Sequence, residues 1–394
     1  MSADQNHDPS QDQQNHHSNE PSIHPRNALQ PVHTGGGPAS TSEQAAEPQQ
    51  QPQQALDGGD TPMAPLYWIA PLTGGLYGLA IRYLAGWAGP FLQSIGVNSR
   101  MAGVMSIGFI MLTPVILGAL TVYLLRNTRP SWMATFFTPW IATALMMMGS
   151  MLTLMEGSIC VVILSPVFLV LSSLGGLLMR AILNVMEVQG RHIGGLAVLP
   201  LLALVVEGPV TPQDRWQRIE RSTVVAAAPQ RVWNEIVQAR DIRREELKPT
   251  LAHLIGVPRP VEGINHTTAQ GEVRESRWER GVHFRGRVTD RVEGRTLAWR
   301  YEFSPDSFPP GTMDDHVVLG GQYLDLGETR FTLTPIDADH TRLDVVAHYR
   351  VTSTINVYAV PVADLLGRDF VDMLLDLYRR RSEAAGPLAS GPPA

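Results

Sequence analysis

Cysteine is all but missing from this chain: Cys160 is the single one in 394 residues, which excludes an intrachain disulfide. Other signatures are missing too. There is no Gly-x-Ser-x-Gly elbow, no phosphate-cradling glycine loop, no His-Glu-x-x-His and no pair of cysteines, so no ready-made nucleophile, nucleotide or zinc site stands out. Met1 is not followed by a basic start and an apolar core, so no cleavable signal peptide is expected. Large apolar side chains are nearly absent from residues 1–62, which are rich in Gln, His, Pro, Asp and Glu. Such a segment buries too little surface to offset its conformational entropy, so it is expected to be disordered, as are residues 386–394. His7, His16, His17, His24 and His33 are read as solvated rather than as metal ligands, and no metal or cofactor is expected.

Charge is what the next stretch lacks. Between Leu66 and Val206, four apolar runs near 66–88, 102–125, 133–154 and 158–179 are each long enough to cross the ~30 Å hydrocarbon core of a bilayer. A soluble helical core is excluded by length, because four such runs leave no polar faces to meet water. An all-α transmembrane bundle is expected over residues 63–208. Each run holds a proline (Pro71, Pro114, Pro139, Pro166), which packed membrane helices tolerate. Gly74, Gly78, Arg82 and Gly86 lie four apart on one ridge, so the small residues invite close helix contact and turn Arg82 inward; Arg82 reads as structural or snorkelling, and a cytoplasmic tail would put it and Glu156 near the same surface, able to pair. The Gly74/Gly78 face is also a candidate contact for a homo-oligomer. Arg126, Arg129, Arg180 and Arg191 sit in loops that the positive-inside rule makes cytoplasmic, together with the N-terminal tail. Ile193–Val206 suits either a fifth crossing or an interfacial segment. Four crossings put the C-terminal part in the cytoplasm; five put it outside.

Residues 213–385 change character again, to short period-two runs. Trp216–Ala227 reads as a strand, Gln230–Gln238 and Ile242–Leu254 as helical pieces, and Glu272–Trp278, Val282–Val292, Thr296–Phe303, Val317–Asp325, Thr329–Pro335 and Thr341–Val351 as six more strands. The last element, Ser353–Glu383, places Tyr358, Val362, Leu366, Phe370, Leu374 and Leu377 on one helical face, with Pro361 expected to kink its start. This is an α+β layout: one curved antiparallel sheet wrapped on one long helix.

Lysine is scarce here as well. Residues 213–385 hold only Lys248, and their arginines are matched by comparable Asp and Glu, so nucleic acid is not an expected partner. Arg277, Arg280, Arg285, Arg287, Arg291 and Arg295 read as a charged outer sheet face, with anionic lipid headgroups as the alternative partner. Asp314-Asp315-His316 is the densest titratable cluster and reads as a solvated loop corner; His283 and His348 fall on the faces opposite Phe284 and Tyr349.

The stretch Arg221-Ser-Thr-Val-Val-Ala-Ala-Ala-Pro-Gln-Arg-Val-Trp233 resembles the opening strand and helix of START-related, SRPBCC or polyketide-cyclase-like domains. The order of elements through Glu383 is similar to the helix-grip fold of that superfamily, and Ile255–Val261 and Gly320–Tyr323 look like stretches of its membrane-tethered bacterial members. The resemblance implies a hydrophobic tunnel between sheet and helix, lined here by Phe284, Trp299, Tyr301, Tyr323, Phe331 and Tyr349 with Tyr358, Phe370 and Met373. It implies binding of a lipid, isoprenoid or other hydrophobic molecule at a bacterial inner membrane. A cyclase or dehydratase acting on a polyketide-like substrate and a non-catalytic interaction module with a filled core are the alternatives, and no catalytic residue is assigned.

Overall fold

The computed structural model describes residues 64–94, 106–185, 193–207, 212–269, 271–314 and 316–384. The tail expected over 1–62, the histidines in it and residues 386–394 lie outside the described residues.

Helices come first. α1 is Ala64–Ser94; a π turn, Gly108–Leu112, runs into α2, Thr113–Leu124; α3 is Trp132–Leu152 and α4 Ser158–Val185. A 3-10 turn, Ile193–Val198, continues as α5, Leu199–Glu207. Two of these, α3 and α4, are long and apolar enough to cross a membrane, and Gly108–Leu124 is a shorter apolar helix. They meet through their smallest residues: a Cβ on Gly118 would strike the Ser172 carbonyl, and one on Gly175 the Val115 carbonyl, so α2 and α4 touch backbone to backbone. Pro166 removes the donor that would bond the Val162 carbonyl, and Ser165 Oγ donates to that carbonyl instead at 3.0 Å.

The glycine ridge of α1 faces inward. Gly74 packs on Thr121 and Ala142, and Gly78 on Met146 and Leu117. That ridge packs on α2 and α3 of the same chain. Arg82 is 6% exposed and donates from Nε to Glu156 Oε1 at 2.8 Å and from a terminal nitrogen to the Met155 carbonyl at 2.7 Å. A lone cation is expensive to bury, and here a carboxylate on the α3–α4 turn offsets it.

After residue 212 the chain builds one eight-stranded antiparallel sheet in the order β1-β8-β7-β6-β5-β4-β3-β2. The strands are β1 Asp214–Val225, β2 Gln238–Ala239, β3 Pro260–Thr268, β4 Gly271–Trp278, β5 His283–Val292, β6 Thr296–Glu302, β7 Leu324–Pro335 and β8 Thr341–Thr352. Bulges at Pro260/Glu262, Val288/Asp290 and Leu326/Thr329 help it curl. Helix α6, Pro229–Val237, and a single turn α7, Leu251–Leu254, sit between β1 and β3, and α8, Asn356–Ala384, packs on β1 and β8, running on through Pro361.

Three expectations are corrected. Pro249 breaks the helix read over Ile242–Leu254, leaving a 3-10 turn at Arg244–Glu246 and the one-turn α7. Val317–Asp325 is not a strand of its own: Gly320 takes φ 74°, which a strand cannot use, and pairing begins at Leu324 in a single β7 that absorbs Thr329–Pro335. Strand β3 was not expected, because its buried positions include Gly263 and Asn265 rather than a row of apolar side chains.

The apolar helices and the sheet meet at the α3–α4 turn. Ser158 Oγ donates to the Ile255 carbonyl at 2.9 Å, Asp314 Oδ2 accepts from the Cys160 amide at 2.8 Å, and Tyr358 OH donates to the Ile163 carbonyl at 2.6 Å. Asp314 thus caps the start of α4 instead of standing in solvent, a correction to the loop-corner reading; Asp315 lies outside the described residues. At the other end of the bundle Arg180 donates to the Pro130 carbonyl and lies over the Trp132 ring, 4.4 Å from its centroid.

Candidate functional site

Period-two strands send one set of side chains to the concave side of the sheet, and α8 lies across that side without filling it. A cavity of about 360 Å³ remains, within the range of small-molecule sites. Its wall follows α8 in steps of four, through Tyr358, Val362, Leu366, Phe370, Leu374 and Tyr378, a stretch of about 30 Å. Gly367 lies within this run, where a Cβ would come within 2.5 Å of Ile219 on β1.

Eight of the nine residues expected to line the tunnel do so: Phe284, Trp299, Tyr301, Tyr323, Phe331, Tyr349, Tyr358 and Phe370. Met373 does not. It is 1% exposed and lies in the closed hydrophobic core, because beyond Phe370 the lining continues through Val371, Leu374 and Tyr378, on the side of the helix away from Met373. The rings interlock: Trp299 stacks on Phe331 at 5.4 Å, Phe370 on Trp278 at 5.3 Å, and Phe284 tilts against Tyr301 at 5.8 Å. Hydroxyl tips are engaged by protein. Tyr301 OH shares a hydrogen bond with Thr329 Oγ1 at 3.1 Å, and Tyr349 OH donates to Asp364 at 3.4 Å. Burial raises the phenol pKa of Tyr301, Tyr323, Tyr349 and Tyr358 above the usual tyrosine value, so all four stay neutral in the physiological range.

Two sets of wall residues were not expected from sequence. One comes from the apolar helices: Ile110 of the π turn and Ile159, Cys160, Ile163 and Leu164 of α4. Nothing local in an apolar run marks which of its residues will close a cavity in another part of the chain. The other is Arg274 on β4, 4% exposed. Its NH1 donates to the Ile236 carbonyl and to Asn265 Oδ1, both at 2.8 Å, its NH2 to Tyr378 OH at 3.3 Å, and its guanidinium lies 4.7 Å over the Trp299 ring. A signal existed, since Arg274, Ser276 and Trp278 share a strand face with period two, but that face carries one ring against one charge and does not declare itself inward.

The outer face behaves as expected. Arg277 pairs with Glu262, Arg285 with Glu275, Arg287 with Glu302 and Arg291 with Glu272 and Glu293. His283 and His348 are exposed there. Among the described residues no cluster of His, Cys, Asp and Glu could hold a metal ion.

No family model and no curated protein matches this chain. Solved structures do. This chain is similar to Zhui aromatase/cyclase from Streptomyces sp. R1128 (17% identity over 44% of this chain and 100% of that one, TM-score 0.28). It is similar to a START superfamily protein from Mycobacterium smegmatis (14% identity, 42% and 97% covered, TM-score 0.29). It is also similar to norcoclaurine synthase from Thalictrum flavum (11% identity, 43% and 94% covered, TM-score 0.27). The curled eight-stranded sheet with its C-terminal helix fits a helix-grip fold.

Proposed function

We propose that this chain is a membrane-held binder of a hydrophobic small molecule, of the lipid or isoprenoid class, which it takes up from the bilayer side. The observation that carries this is the composite wall: five residues of the apolar helices close one end of the aromatic cavity. The unfilled cavity argues against an interaction module with a packed core. A cyclase is the second reading: among the described residues the lining's one carboxylate, Glu262, is paired with Arg277, and its one imidazole, His316, lies against the Tyr323 ring. Membrane residence is supported by the large apolar side chains that α1 and α4 turn outward, such as Trp68, Leu76, Val170, Leu174 and Leu178, a surface water solvates poorly.

Native mass spectrometry of the full chain released from detergent micelles tests the binding reading. A copurified mass that extracts into organic solvent, and is lost on Ala363→Phe, which fills the cavity, supports it. A clean apo mass with no uptake from a lipid extract overturns it.

The same contacts support a reading of the side of the membrane on which the sheet lies. The sheet abuts the α3–α4 turn, at the end away from Arg180 and Pro130, while Tyr77 OH bonds the Ala197 carbonyl at 2.9 Å and α5 packs beside the π turn. Ile193–Glu207 is read as returning the chain to the sheet end, which with the positive-inside rule favours a sheet outside the cytoplasm. Val357 is 89% exposed and Cys160 is buried. In Val357→Cys, a membrane-impermeant maleimide should label intact cells; labelling only after permeabilisation reverses the orientation.

A further inference from the structure

We infer that the ligand carries a single negative charge at one end, a carboxylate being the fitting group, and lies with that end on Arg274 and its tail toward α4. This rests on the cavity being a ligand site, as proposed above. Arg274 is the one arginine on the cavity wall, and it has no carboxylate partner among the described residues. Its three hydrogen bonds go to a carbonyl, an amide oxygen and a phenol, none of which supplies charge. A buried cation left in that condition is strongly unfavourable unless something anionic joins it. The other deeply buried arginine, Arg82, has Glu156 at 2.8 Å.

The backbone around Arg274 is kept bare to admit it. A Cβ on Gly263 would come within 2.5 Å of its terminal nitrogen, and one on Gly286 would strike the Trp299 indole beneath it. Trp299 Nε1 is buried beside Tyr301 and lacks a hydrogen bond of full geometry. This end of the cavity therefore holds a cation and a weakly engaged N–H beside the hydroxyls of Tyr301, Thr329 and Tyr378, a set rich in donors and short of acceptors. A carboxylate accepts from both guanidinium and indole; one cation matches one charge. The opposite end, some 30 Å along α8 at Tyr358, is closed by aliphatic side chains of α4, which suit a hydrocarbon tail.

The test is photolabelling of the full chain in neutral detergent with tetracosanoic acid, a chain long enough to span the cavity, bearing a terminal diazirine, competed by tetracosanoic acid or tetracosanol. The label should map to Ile159–Leu164, and the acid should compete about tenfold better than the alcohol, as a charge-assisted bond warrants. Arg274→Met should abolish that difference while leaving competition by the alcohol, and Arg274→Lys should retain it. If the Met variant does not fold, the wild-type competition and Arg274→Lys still decide. Equal competition by acid and alcohol refutes the charge inference and leaves the cavity reading standing. A label near Trp299 and Phe331 refutes the orientation, and no label in the cavity removes the binding reading itself.

Discussion

The two faces of the sheet use the same residue in opposite ways. On the convex face arginine is a solvated partner: Arg277, two-thirds exposed, sits beside Glu262, and its neighbours repeat the arrangement across β4, β5 and β6. Three residues earlier on the same strand, Arg274 points inward, buried among rings with neutral partners only. In the helical bundle Arg82 is just as buried but has its counter-ion. Solvent access and the company of a carboxylate, not residue type, separate a decorative charge from a structural one and both from one that calls for a ligand.

Breaking the buried pair should have the largest effect. Glu156→Ala strands Arg82 in the bundle and should cost about 3–5 kcal/mol, read by thermal unfolding in detergent. The double variant Arg82→Met/Glu156→Met should recover most of it; if it does not, the pair is more than a neutralised charge. Next comes Gly286→Leu, which pushes on the Trp299 indole and should cost about 1–3 kcal/mol by overpacking, with loss of cavity volume seen as weaker ligand uptake.

A pH scan sharpens the comparison from the acid side. Burial pushes the Asp376 carboxyl upward, but the hydrogen bonds from Lys248 and Arg379 and the charge of Arg380 outweigh it and hold its pKa below the usual aspartate value. A depressed carboxylate stabilises the fold above the unfolded-state pKa near 4 and loses that contribution as pH falls through its own lower value. Burial, then the nearby Arg259, lower the His253 pKa, so its contribution is present above about pH 6.5 and is lost on acidification below it. Unfolding temperature should thus fall in two steps, and Asp376→Asn should shrink the lower one, to which Glu246 and Glu279, also held below the usual glutamate value, contribute. Arg277→Gln should change stability least, by under about 0.5 kcal/mol, since exposed pairs contribute little.

Periodicity was enough to place the apolar helices, most of the strands and the long final helix; the pairing of Arg82 with Glu156 also needed the orientation of the basic loops, and the nine wall positions, eight of which line the cavity, came from the resemblance to a START-type domain. What periodicity reads is local: a step of two or of 3.6 and the lengths of apolar runs say which side of an element avoids water. What only the tertiary structure decided is where elements distant in sequence converge. Strand β3 is invisible to hydropathy because Gly263 and Asn265 are there to accommodate Arg274, and Arg274 is inward because Tyr378, Trp299 and the Ile236 carbonyl meet it. Asp314 became a cap for α4, and α4 became a cavity wall, for the same reason. A charge or a glycine has no preferred face of its own; its role is set by neighbours that the chain brings in from a hundred residues away.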